Sequence, residues 1–169
     1  MFNLDISSIR LCAVVVITVT LVSLSAFWRF KNFKANAGWW SAGTIVYCLA
    51  FIGVLWAPQI PSPILDVLVE TALVTSGMLF LNAVRVKLHK PPLLNFTVAL
   101  VLVTMANSAF FFYVVPNALV RQQTVFMVTA LLTLSIVWEI LRNANSKHQQ
   151  AYLACAGLFL LDGVFNLAR

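Results

Sequence analysis

Six continuous apolar runs fill most of this 169-residue chain, and its charges collect in the short gaps between them. An α-helix rises about 1.5 Å per residue, so roughly 20 mostly apolar residues cross the ~30 Å hydrocarbon core of a bilayer. The runs cover approximately 11–28, 39–57, 64–84, 93–115, 118–141 and 150–168. Strands of a membrane β-barrel would instead alternate apolar and polar positions over about ten residues. Only 9% of the residues are charged, against about a quarter in soluble domains, which excludes a water-soluble fold. The expectation is a single all-α domain over residues 1–169: a polytopic transmembrane bundle of six membrane-spanning helices.

The first run is expected to be a mature helix rather than a signal peptide. It exceeds the roughly 7–15 residues of a signal-peptide core, and the bulky, basic Trp28-Arg29-Phe30-Lys31 follows it where a cleavage site needs small residues.

Loop charge sets an expected orientation. Arg29, Lys31, Lys34, Arg85, Lys87, Lys90, Arg142 and Lys147 fall in three alternate connections, while Arg10, Arg121 and Arg169 fall on the other side. Lys and Arg in short loops stay cytoplasmic, which places the amino terminus outside a bacterial inner membrane. The net charge of +6 is thereby a topology signal and a contact for anionic lipid, and no nucleic-acid partner is required. The proline-punctuated Pro58-Gln59-Ile60-Pro61-Ser62-Pro63 and Val115-Pro116-Asn117 read as external turns, because proline cannot continue a helix interior. Pro91-Pro92 opens the fourth run on the other side. Trp28, Trp39, Trp40, Trp56 and Trp138 fall near run ends, at headgroup depth. Six spans with an external start also finish outside, so an output domain after Arg169 would need a seventh helix.

A set of boundary residues carries a family resemblance. The first run ends Phe27-Trp28-Arg29-Phe30-Lys31, and Gly38-Trp39-Trp40 opens the second. The turn Trp56-Ala57-Pro58-Gln59-Ile60-Pro61 follows. The third run carries Gly77 and ends Asn82-Ala83-Val84-Arg85-Val86-Lys87. This stretch, from about Phe27 to Lys90, resembles the N-terminal multi-helix membrane sensor region of bacterial GGDEF-type diguanylate cyclases. The resemblance implies a sensory input module without cyclase activity of its own, since no GGDEF signature occurs in these residues. Glu70-Thr71 stands where the family would place an uncharged, Asn-containing stretch.

Ionisable groups inside a bilayer are costly and usually face the protein interior or a water-filled cavity. From the helical rise, Glu70 lies about 9 Å below the outer boundary, Asn107 about 9 Å and Asp162 about 12 Å. Asp66 and Glu70 are four apart on one helix face, which Gly77 continues, and Thr71, Thr75 and Asn82 form a stripe about 100° away. Cys155, Asp162 and Asn166 share a face of the sixth run. The candidate ligand-binding patch is therefore Glu70, Asp162, Asn107, Asp66 and Asn166, with Arg121 the nearest counter-charge. Asp66 also reads as a solvated helix start favoured by the macrodipole. Asn107, Ser108, Thr71 and Thr75 also read as hydrogen-bonding glue between helices, typically ~0.6 kcal/mol each. Glu139 is expected to pair with Arg142, three residues on.

Cys12, Cys48 and Cys155 sit in separate apolar runs without metal-ligand spacing, and His89 and His148 fall in loops. No metal, cofactor or catalytic residue is expected, and no nucleophilic triad or phosphate-binding loop occurs. The leading functional expectation is a sensory, signal-input module. The bilayer itself, a small or lipophilic ligand, a cytoplasmic signalling partner or an appended output domain, and further copies of the chain are its possible partners. The alternatives are a small cation- or proton-coupled transporter, or an accessory subunit of a membrane complex.

Overall fold

A computed structural model describes the backbone of residues 34–56 and 62–142, with side chains over 38–54 and 62–142. Four helices follow one another: α1 (Lys34–Trp56), α2 (Pro63–Lys87), α3 (Leu94–Tyr113) and α4 (Ala118–Arg142). They correspond to the second to fifth apolar runs. The first and sixth runs lie outside the described residues, as do Cys12, Cys155 and His148. Helices α2, α3 and α4 are each long enough and apolar enough to cross a membrane, and α1 adds an apolar stretch, Gly38–Val54.

The helix termini follow from local chemistry. Pro63 opens α2, where a missing N–H costs nothing. At its other end the Lys90 N–H donates to the Arg85 carbonyl and the His89 N–H to that of Val86. These are the paired bonds of a Schellman closure, and His89 takes the left-handed position with φ 57°. Glycine usually fills that position, so the sequence carries no signal for this turn. Pro91 and Pro92 then precede α3, and Pro116 lies between α3 and α4.

Helix α2 is the hub. Among the described residues it packs against α1, α3 and α4, α3 and α4 touch each other, and α1 touches α2 alone. The apolar core is the α2–α4 seam, where Val74, Met78, Leu81 and Val84 meet Val125, Leu132, Ile136, Val137 and Ile140. Gly77 lets Leu132 approach the α2 backbone. The two helices run in the same direction, with α3 returning antiparallel between their ends.

Helix α3 is built inside-out relative to a soluble helix. Its buried residues are Thr104 and Ser108, whereas Val98, Leu102 and Val103 are more than half exposed. Water would not tolerate that arrangement along a whole helix, and lipid favours it. Small and hydroxylated residues facing a neighbour allow close backbone approach in a membrane, where burial of apolar area no longer drives association. Asn82, fully buried on α2, locks this contact: its Nδ2 donates to Thr97 Oγ1 (3.0 Å) and its Oδ1 accepts from the Leu93 N–H (2.8 Å). Thr71 and Thr75, expected as glue between helices, donate instead to the carbonyls of Val67 and Thr71 in their own helix. A hydroxyl one turn from a carbonyl satisfies itself at no cost in helix placement.

The α1–α2 contact depends on Gly53. A Cβ at this position would overlap the Val69 side chain, whereas a Cβ at Gly38 meets nothing within 4 Å. Gly53→Ala should therefore lower the thermal unfolding midpoint in detergent micelles. Overpacking at about 1–3 kcal/mol outweighs the helix-propensity gain of about 1 kcal/mol. Gly38→Ala, which has only the propensity gain, should not lower it. Equal effects of the two substitutions would show that α1 does not seat on Val69.

Candidate functional site

A charged cluster joins α2, α3 and α4 at the end where α2 and α4 begin. Asp66 lies in the first turn of α2 and Glu70 one turn later. Arg121 lies in the first turn of α4, with its backbone N–H bonded to the Asn117 carbonyl. The shared α2 face of Asp66, Glu70 and Gly77 points at α4, so the guanidinium reaches both carboxylates. Arg121 Nη2 donates to Asp66 Oδ2 at 3.1 Å, and Nε stands 2.9 Å from Glu70 Oε1. The Arg121 side chain is only 7% exposed, and its guanidinium carbon lies 4.9 Å from the centre of the Phe112 ring on α3. A cation over an aromatic face gains electrostatic attraction, more so when desolvated.

The cluster is under-bonded. The Nε–Oε1 approach is an ion contact off the N–H direction, so Arg121 Nε has no directed acceptor. Ser108 of α3, fully buried, brings its hydroxyl to the Glu70 carboxylate. Even so, Ser108 Oγ and Glu70 Oε2 are left without a well-formed hydrogen bond. Asn107 Nδ2 is the fourth buried polar atom in this condition. Among the described residues no other buried side-chain polar atom lacks a partner. Leaving such atoms unpaired costs about 1–3 kcal/mol each, more when charged. Two carboxylates against one guanidinium leave the cluster with a formal charge of −1.

Of the expected patch, the structure brings Asp66 and Glu70 together on one cation. Asn107 sits half-buried next to Ser108 in sequence and, among the described residues, makes no hydrogen bond to either carboxylate. Asp162 and Asn166 lie outside the described residues. Asp66 is both a first-turn acid and an ion-pair partner. Phe112 and the Ser108 hydroxyl complete the site. The Thr104–Ser108 spacing of four, a small polar stripe on one face of a mostly apolar helix, is the readable signal for Ser108.

A second ionic cluster closes the opposite end of the same seam. Glu139 Oε1 accepts from Arg85 Nη1 at 2.7 Å and Oε2 from Lys90 Nζ at 2.6 Å. Arg85 Nε also donates to the Pro91 carbonyl at 3.1 Å. This corrects the expected Glu139–Arg142 pair. The Schellman turn folds Lys90 back beside Arg85, and two cations from another helix outcompete one exposed neighbour on the same helix.

Removing one partner of a buried ion pair is far costlier than removing both, because it strands a charge. Arg121→Gln should destabilise the chain by about 3–5 kcal/mol, and Asp66→Asn by much less, since Asp66 is about one-third exposed. Combining Arg121→Gln with Glu70→Gln should recover most of the loss. Thermal unfolding in micelles of fixed composition measures all three, and a double variant no better than Arg121→Gln alone would dissolve the pairing. No protein-family model, curated protein or solved structure matches the chain.

Proposed function

We propose that the chain is an integral-membrane sensory module whose input site is the Asp66–Glu70–Arg121 cluster. In this reading it spans a bacterial inner membrane six times with its amino terminus outside, and the cluster faces the outside. A small ligand at the cluster alters the packing of α2 on α4, and the shift reaches a cytoplasmic partner through the basic end of the seam.

The carrying observation is the buried, under-bonded ionic cluster between two parallel helices that are long enough to cross a membrane. Ionisable side chains at membrane depth mark functional sites by default, and a buried ion pair is weak support for stability alone. Its unpaired atoms give a ligand something to satisfy in one packing and not in another, and only such differential affinity moves an equilibrium. The resemblance of residues 27–90 to diguanylate-cyclase sensor regions supports the same role, and the basic excess on the opposite connections supports the orientation. One observation favours proton- or cation-coupled transport as a second reading: a buried carboxylate oxygen, Glu70 Oε2, that has no hydrogen-bond partner among the described residues.

Spin labels at positions 64 and 119, both exposed, in a background freed of Cys12, Cys48 and Cys155, report the α2–α4 separation at the cluster end. In reconstituted vesicles Glu70→Gln should shift that distance distribution while membrane insertion is retained. An unchanged distribution overturns the coupling. Proteoliposome uptake of protons or a monovalent cation, abolished by Glu70→Gln, would assign transport instead.

A further inference from the structure

At the Glu139 end, α3 and α4 stand apart. They meet at Phe112 and Arg121 and open toward their other ends, leaving a cavity of about 780 Å³ floored by α2. Its walls are Phe96 and Leu100 on α3 and Val128, Leu131, Ser135 and Trp138 on α4. Phe96, Leu131 and Trp138 are each more than half exposed. From Val128 to Leu141, the limits of the α4 wall, the helix rises about 20 Å, more than the ~15 Å of one hydrocarbon leaflet and well short of the ~30 Å core. The groove therefore accommodates one leaflet without crossing the core, and it is open on the side and mostly apolar.

Its mouth is cationic. Arg85 and Glu139 line the cavity, and Lys90 is bound to the same Glu139. Arg142 is exposed at the adjoining end of α4. Three cations against one carboxylate give the mouth a formal charge of +2. Its two ion pairs fix Arg85 and Lys90 in place, and Lys90 remains about one-third exposed.

We propose that this groove holds one anionic phospholipid of the surrounding leaflet, its acyl chain between α3 and α4 and its phosphate at the Lys90–Arg142 mouth. Charge complementarity selects the headgroup, and groove depth selects an acyl chain over a protein helix, which would need the full bilayer. Each Lys or Arg near a membrane surface attracts anionic lipid by about 1 kcal/mol, so Arg142 and the part-exposed Lys90 together set a preference of more than tenfold. The lipid would bridge α3 and α4 where the described residues leave them apart, independently of any ligand at the Arg121 cluster.

The full-length chain, extracted from vesicles of equal parts phosphatidylglycerol and phosphatidylcholine, tests this by native mass spectrometry. One retained phosphatidylglycerol per chain, favoured over phosphatidylcholine by about tenfold or more, is expected. Ser135→Phe, at an exposed groove position, should remove it by filling the acyl slot. Arg142→Gln should lower the preference about fivefold while leaving the core untouched. Equal retention of the two lipids by the wild-type chain overturns the proposal as ordinary boundary lipid. So does undiminished retention in a folded Ser135→Phe chain. Brominated phosphatidylglycerol and phosphatidylcholine, compared as quenchers of wild-type tryptophan fluorescence, give the same discrimination without any substitution, and equal quenching overturns it too.

Discussion

Lipid cannot satisfy a polar group, and this constraint organises every contact α2 makes. In water the apolar faces of four helices would supply the driving force. In hydrocarbon they supply almost none, so association rests on close packing and on polar groups that find one another. Helix α2 carries both devices. Gly77 admits Leu132, and Gly53 of α1 admits Val69. Asn82 ties α2 to the start of α3 with both ends of its amide. The outward faces of α3 and α4 are left apolar because nothing else is acceptable there.

The two ionic clusters fix the register of α2 against α4. Parallel helices set their macrodipoles side by side in an unfavourable sense. Here α2 carries its acids in the first turns and its bases in the last, while α4 carries Arg121 first and Glu139 last. Arg121 and Glu139 are each wrong for the dipole of their own helix and right for the charges of its neighbour, while Arg142 suits its own terminus. Eighteen residues separate Arg121 from Glu139, about 27 Å of helix, so a slip of one turn, 5.4 Å, breaks both clusters together. Specifying register is the best-attested use of buried ions, and the opposed polarity also forbids an antiparallel arrangement.

Much of this was legible in the chain. The runs 64–84, 93–115 and 118–141 became helices within a few residues of their limits, because span length and proline placement leave little choice. Depth and helical phase placed Asp66 and Glu70 on one face and identified Arg121 as the available cation. The failures share a cause. Glu139 was matched to Arg142 by spacing along one helix, whereas its partners arrive through a turn whose left-handed residue is His89 rather than glycine. Asn82 read as one member of a polar stripe, since nothing local reveals that it caps the next helix. Thr71 and Thr75 look identical in sequence whether they bond across helices or within one. Helix-to-helix partners are set by packing, which a single sequence encodes only diffusely.

The two ends of the seam differ in how completely they are bonded, and that difference carries mechanical meaning. At Glu139 both carboxylate oxygens are engaged, Arg85 holds a carbonyl as well, and nearby Asn82 is satisfied. Loosening this end would sacrifice several charge-assisted bonds at once. At Arg121 the ion contacts coexist with three buried atoms that, among the described residues, lack a partner, so a rearrangement there can gain bonds as well as lose them. Two helices pinned at one end and under-bonded at the other respond to a local change by pivoting about the pinned end. Interfaces packed this densely hold discrete arrangements rather than deforming continuously. The saturated cluster is thus the pivot, and the unsaturated one is where binding can act.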